Sequence, residues 1–94
     1  MAILSFANTR TSRIFARQRV KECGPDLTRM ALKKLVMVHA AVHLEDLRVP
    51  PGNRLEAMSG DRIGQHSVRV NDQYRICFRW DGRDAHDVEL VDHH

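Results

Sequence analysis

The residues of this chain best suited to chemistry on phosphate lie in one stretch, SVRVNDQYRICFRW, at 67–80. Val68 and Val70 form one face of a strand, and Tyr74, Ile76, Phe78 and Trp80 form one face of the next. Ser67, Arg69, Asn71, Arg75 and Arg79 are therefore expected on the opposite, outward face. A guanidinium forks onto two phosphate oxygens and can stabilise the negative charge that grows on a pentavalent phosphorane. The same pattern fits an antiparallel sheet whose outer face is simply solvated by charged side chains. Asp92, His93 and His94 add a carboxylate and two imidazoles able to exchange protons near neutrality, although a terminal histidine pair also fits a tail or a tag remnant.

Other candidate groups are less specific. Arg10, Arg13, Arg17 and Lys21 follow one another at spacings of three and four, which on a helix makes a basic stripe; it fits a phosphate-contacting face and a solvated one equally. His39 and His43 stand at i, i+4, as in a zinc-binding helix, but the residues between them lack the catalytic glutamate and no third ligand is suggested. Surface or helix-end histidines are the better reading, and no metal is expected. The sequence contains neither a phosphate-cradling glycine loop nor a nucleophile elbow.

These side chains need a scaffold, and the apolar periodicity supplies one. Residues 2–6, AILSF, suit a short strand, and Asn8 can cap a helix running to about Val20 with Ile14 and Phe15 inward. Gly24-Pro25 breaks the chain. From about Asp26, Leu27, Ala31, Leu35, Val38 and Val42 recur at helical spacing, with Met30, Met37 and Ala41 widening the same face, until RVPPGN at 48–53 enforces a loop. The period then changes to alternation. Strands are expected over 54–58 and 64–71, over the run containing Tyr74 to Trp80, and over 86–92 with Val88 and Leu90 inward. The order predicts an α+β domain, with a short N-terminal strand and two helices packed on one face of an antiparallel sheet.

Ninety-four residues predict a single domain, 1–94, and no apolar stretch approaches the length of a membrane span. No signal-peptide pattern opens the chain, so a soluble cytoplasmic protein is expected. Cys23 and Cys77 lie far apart in unlike contexts and read as buried free thiols. The net charge of +3 is unevenly spread, because 10–34 holds eight basic residues against Glu22 and Asp26, whereas 81–94 holds five acids against Arg83. Such asymmetry permits phosphate-backbone binding by one region.

The second half of the chain resembles HigB-like toxins, the plasmid-maintenance killer branch of the RelE/ParE superfamily. The resemblance runs through Pro51-Gly52-Asn53, Leu55, Gly60-Asp61-Arg62, Gly64, Ser67 to Asn71, Tyr74 to Phe78, Trp80, Gly82, Ala85, Val88-Glu89, Asp92 and His94. It implies a RelE-like fold and a ribosome-dependent endoribonuclease that cuts translated messenger RNA in the aminoacyl site. In that family a ribose 2′-oxygen attacks the adjacent phosphate, leaving a cyclic phosphate and a free 5′-hydroxyl, with no metal or cofactor. The implied partners are the ribosome with its messenger and a HigA-like helix-turn-helix antitoxin, whose complex with the toxin binds operator DNA.

By the same resemblance Arg69 would neutralise the scissile phosphate, and Asp92 and His94 would carry or position proton transfer. The outward basic residues, Arg62, Arg75 and Arg79 with Arg10, Arg13 and Arg17, would bind RNA. Three positions depart from the family pattern. Glu56 stands where some members have a catalytic histidine, Ser59 where lysine is common, and His93 where tyrosine is usual. Glu56 can itself act as a base, His93 keeps hydrogen bonding without tyrosine's stacking area, and Arg62 is placed to replace the lost lysine charge. The ParE branch shares the fold and poisons gyrase without cleaving RNA, which leaves a non-catalytic toxin as the alternative.

Overall fold

The computed structural model describes residues 2–92. Two helices, α1 (Thr9–Phe15) and α2 (Gly24–Ala40), precede an antiparallel sheet of β1 (Glu56–Ala57), β2 (Gln65–Arg69), β3 (Tyr74–Trp80) and β4 (Ala85–Asp92) in the order β1-β2-β3-β4. Ile14 of α1 and Ala31, Leu35 and Val38 of α2 pack with Val68, Ile76, Phe78, Val88 and Leu90 of the sheet, all buried. Both helices thus cover one face of the sheet. Tyr74 and Trp80 lie partly buried against this core, so the alternation expected for β3 holds.

The expected N-terminal strand is an irregular edge ribbon. Its bridges to β4, Ile3 to Ala85 and Phe6 to Val88, are parallel. Farther along β4, α1 takes over: Arg10 Nη2 donates to the Leu90 carbonyl at 2.8 Å, and the Leu90 N–H donates to Thr11 Oγ1 at 3.0 Å. Backbone groups along the outer edge of β4 are in this way paired rather than left as a template for another strand.

Asn8 caps α1 as expected, its Oδ1 accepting from the Thr11 N–H at 2.9 Å. The helix nevertheless stops at Phe15, not near Val20. Arg17 adopts a left-handed conformation (φ 61°), the Gln18 N–H reaches the Arg13 carbonyl at 2.9 Å and the Arg17 N–H reaches that of Ile14 at 3.0 Å. This is a Schellman ending, built with arginine at the position usually held by glycine. Arg17 and Lys21 consequently leave the helix, and the expected four-residue basic stripe does not form.

Helix α2 begins at Gly24, with Pro25 in its first turn, and ends at Ala40. The Asp46 carboxylate accepts from the N–H groups of Val42 and His43, both at 3.0 Å, which favours a separate 3-10 turn over Leu44–Arg48. Val42, expected on the inner face of the helix, is instead 67% exposed. Fully buried Asn53 secures the loop that follows, donating to the Leu47 carbonyl at 3.1 Å and accepting from Lys34 Nζ at 2.6 Å.

Candidate active site

Across the side of the sheet away from the helices, Glu56 of β1 stands opposite Ser67 of β2, Ser67 opposite Cys77 of β3, and Cys77 opposite Glu89 of β4. This row has a carboxylate at each end and small buried groups between them. Arg69 and Arg75 are paired one step along on the same face. The alternation of β2 and β3 therefore assembles the face expected from the sequence, but the exposure of its arginines differs from expectation.

Arg75 is a buried anchor rather than an open phosphate ligand. Its Nε donates to Ser67 Oγ at 2.7 Å, and Nη2 donates to the Arg54 carbonyl at 2.6 Å, leaving the side chain 8% exposed. Arg54 has a left-handed backbone (φ 46°), and capture of its carbonyl draws the chain onto the sheet immediately before Glu56. A Glu56 oxygen lies 4.0 Å from Arg75 Nη2. The arginine thus holds β1, and with it the carboxylate, in place.

The other arginines of this face also have acidic neighbours. Arg62 Nη1 meets Glu89 and Gln65, each at 3.1 Å; Arg79 meets Asp87 at 2.8 Å; Arg69 pairs with Asp72. Arg79 and Arg69 retain the most accessible guanidinium groups, 55% and 34% exposed as side chains. Exposed pairs of this kind contribute little stability, so an incoming phosphate can exchange for the carboxylate without a large penalty. Burial pushes the Cys77 thiol upward, the cationic Arg62 and Arg75 nearby only partly opposing it.

The β2–β3 turn brings two sequence candidates to one end of the sheet. Within it Asp72 pairs with Arg69, and Gln73 Nε2 donates to Asp92 Oδ2 at 3.1 Å. Asp92 stands opposite Tyr74 and in phase with Val88 and Leu90, so it leaves β4 toward the helix side at that end. His93 and His94 lie outside the described residues. Ser59 precedes the 3-10 turn Gly60–Arg62 that carries Arg62.

Arg10, Arg13 and Arg17 belong to the helix layer, on the other side of the sheet from Glu56 and Arg75. Arg10 is occupied by the Leu90 carbonyl, while Arg13 and Arg17 are exposed. The basic residues to which the resemblance gives RNA binding therefore lie in two regions, on opposite sides of the sheet. Glu89, named only within the resemblance, received no role from the sequence, although its place on the outward face was legible because it is out of phase with Val88 and Leu90. The contact of Lys34 with Asn53 was not legible, because its place in an amphipathic helix gives no hint of its neighbours. Burial lowers the Lys34 pKa, with repulsion from Lys33 and Arg69 adding to the effect.

Among the described residues no cluster of metal-ligating side chains occurs and no helix is long and apolar enough to cross a membrane. His39 accepts from the Ile3 N–H at 3.4 Å and packs its ring against Phe15, whereas His43 flanks the following 3-10 turn.

Comparison with known proteins bears on this arrangement. The chain is 50% identical over 48 residues to "Toxin HigB-1" of Vibrio cholerae serotype O1, a match covering 51% of this chain and 50% of that protein. It thus spans about half the length of that relative. An "Uncharacterized protein" of Haemophilus influenzae is 32% identical over 68 residues, covering 72% of this chain and 67% of its own length. The family model described as "RelE-like toxin of type II toxin-antitoxin system HigB" matches residues 4–94, so the chain belongs to the HigB-like toxins.

Proposed function

We propose that this toxin is a ribosome-dependent messenger-RNA endonuclease, acting in the cytoplasm and neutralised by a HigA-like helix-turn-helix antitoxin. The observation that carries the reading is the sheet face itself. Glu56 is seated beside buried Arg75, and accessible Arg69 and Arg79 border the same surface. Family membership supports it. Operator DNA enters only through the toxin–antitoxin complex.

In the proposed reaction a base takes the proton of a ribose 2′-hydroxyl; the 2′-oxygen forms a bond to the adjacent phosphorus, and the bond from phosphorus to the 5′-oxygen breaks. The departing 5′-oxygen receives a proton, leaving a 2′,3′-cyclic phosphate and a 5′-hydroxyl. Glu56 is the proposed base. Arg69 neutralises the phosphorane. Asp92 leaves β4 on the helix side of the sheet, so the proton delivery to the leaving group proposed for Asp92 with His93 and His94 requires the RNA to pass around the β2–β3 end, where Gln73 holds the Asp92 carboxylate. Arg62 and Arg79 hold flanking phosphates. Proton transfer and charge neutralisation supply the whole of this chemistry, so the proposal invokes no metal or cofactor.

Ser59 favours a second reading, a toxin that keeps its antitoxin surface but acts without RNA cleavage, as a gyrase-directed relative would. Primer extension on a translated messenger with purified ribosomes separates the two. New 5′ ends at aminoacyl-site codons, lost in Arg69→Ala, are expected. Intact messenger with the wild-type chain, together with inhibited gyrase supercoiling, would overturn the proposal.

A further inference from the structure

Lys34 of α2 is a partly buried cation held in one place without an opposite charge. Its Nζ donates to Asn53 Oδ1 at 2.6 Å. Asn53 is itself fixed, being fully buried with its Nδ2 donating to the Leu47 carbonyl at 3.1 Å and the Val49 carbonyl at 3.4 Å, so that Oδ1 is presented to the lysine. Among the described residues no carboxylate pairs with Lys34, and the charges that act on it, those of Lys33 and Arg69, are both positive. Burial and this repulsion lower its pKa. The hydrogen bond to Asn53 needs a donor but no charge. The ammonium is therefore unfavourable in the free protein and becomes favourable beside an anion.

We propose that Lys34 is a substrate-binding residue that takes the messenger phosphate next to the one held by Arg69, the two cations gripping the strand from the helix side and the outer face of the sheet. The inference rests on the messenger-RNA reading and adds to it a contact outside the row of carboxylates. Arg69 is the last residue of β2, at the end of the sheet where Asp92 leaves β4 toward the helix side. A strand turning round this end from the outer face meets Arg69 first and Lys34 next. Arg69 is tied to Asp72, whose side chain is 99% exposed, so its guanidinium is free to exchange that carboxylate for a phosphate. Lys34 keeps two N–H donors beyond the one given to Asn53, enough for two oxygens of a phosphodiester. Its position is already fixed by Asn53, so little freedom of the side chain is lost when the anion binds.

The test measures the affinity of the full chain, by fluorescence anisotropy, for a single-stranded RNA of about nine nucleotides whose 2′-O-methyl sugars prevent cleavage, and separately for ribosomes without messenger. Lys34→Gln removes the charge but keeps a donor, Lys34→Arg keeps the charge, and Lys33→Gln makes the same change in net charge at the exposed neighbour. Thermal melts confirm that all three remain folded. Lys34→Gln is expected to weaken oligomer binding by roughly 5- to 10-fold at low salt and to reduce the slope of log affinity against log salt by about 0.7, the share of one phosphate in a single strand. Lys34→Arg should recover most of the affinity, Lys33→Gln should change it by less than about twofold, and affinity for vacant ribosomes should hold. In the wild-type chain the oligomer should raise the pH at which the Lys34 Cε NMR signal titrates, because a neighbouring anion favours the ammonium. Wild-type oligomer affinity in Lys34→Gln, or an unchanged Lys34 titration, overturns the proposal. So does an equal loss in Lys33→Gln, which would leave only net charge, a loss confined to vacant ribosomes, which would put the lysine on ribosomal RNA, or a wild-type chain that does not bind the oligomer. None of these measurements depends on cleavage, so a chain that binds the oligomer through Lys34 yet leaves a translated messenger intact would defeat the nuclease reading alone.

Discussion

Arg75 and Ser67 share a hydrogen bond of 2.7 Å between Nε and Oγ, and both residues are buried although they lie on the side of the sheet away from the helices. The guanidinium has a second partner in the Arg54 carbonyl. One side chain from β3 therefore reaches across β2 to the segment leading into β1. This makes the position of Glu56 dependent on a residue on another strand, and a change in Arg75 should be felt as lost structure as well as lost charge.

Replacing Arg75 by alanine would leave Ser67 Oγ and the Arg54 carbonyl without this donor. A loss of about 2–4 kcal/mol in unfolding free energy is expected from urea titration. Lysine should restore only part of it, because an ammonium cannot reproduce the planar fork. Equal stability of Arg75→Ala and the wild type would show that the hydrogen bonds do not anchor the edge.

Arg17 supplies the opposite case, a position where the native residue is disfavoured. A left-handed backbone is costly for arginine and not for glycine. Arg17→Gly should raise stability by about 1 kcal/mol, seen as a melting temperature higher by roughly 4–8 °C. An unchanged or lower melting temperature would mean that contacts of the arginine side chain outweigh its backbone cost.

The same residue explains why the end of α1 was not legible. Glycine would have announced a Schellman ending, whereas arginine prolonged the apparent basic stripe. Alternation in 67–80 was enough to place Ser67, Arg69 and Arg75 on one face, because side-chain direction in a strand follows from parity. Parity does not report what covers that face. Burial of Arg75 depends on the Arg54 carbonyl, 21 residues away in sequence and in a left-handed conformation without glycine. The α+β order and both helices were legible from periodicity, while the stop of α2 before Val42 depends on the Asp46 carboxylate bonding backward to backbone.

Cys23 and Cys77 offer a check on packing. Both are buried and free, and burial pushes both thiols above their ordinary range. Since thiolate is the reactive form, neither should be modified by iodoacetamide at pH 8 in the time that labels the unfolded chain completely. Mass spectrometry would read the result. Rapid labelling of Cys77 in the native chain would mean that the sheet face opens beneath Arg75.

The turn between β3 and β4 predicts a pH dependence with a definite sign. Asp81 bonds His86 Nε2 at 2.7 Å and accepts from the N–H groups of Asp84 and Arg83 at 2.7 and 2.9 Å. The histidine contact, followed by the backbone bonds, lowers its pKa to about 2. In the unfolded chain the same carboxyl protonates near the ordinary value of about 4, so folding stabilises the ionised form. The contribution is complete above about pH 4 and disappears as the pH falls toward about 2. Asp81→Asn keeps an oxygen acceptor for the backbone but cannot ionise. The wild type should be the more stable of the two at pH 5, and urea titrations of the pair should converge as the pH approaches 2. A difference constant across this window would show that the carboxylate charge contributes nothing and that the turn depends on its backbone hydrogen bonds alone.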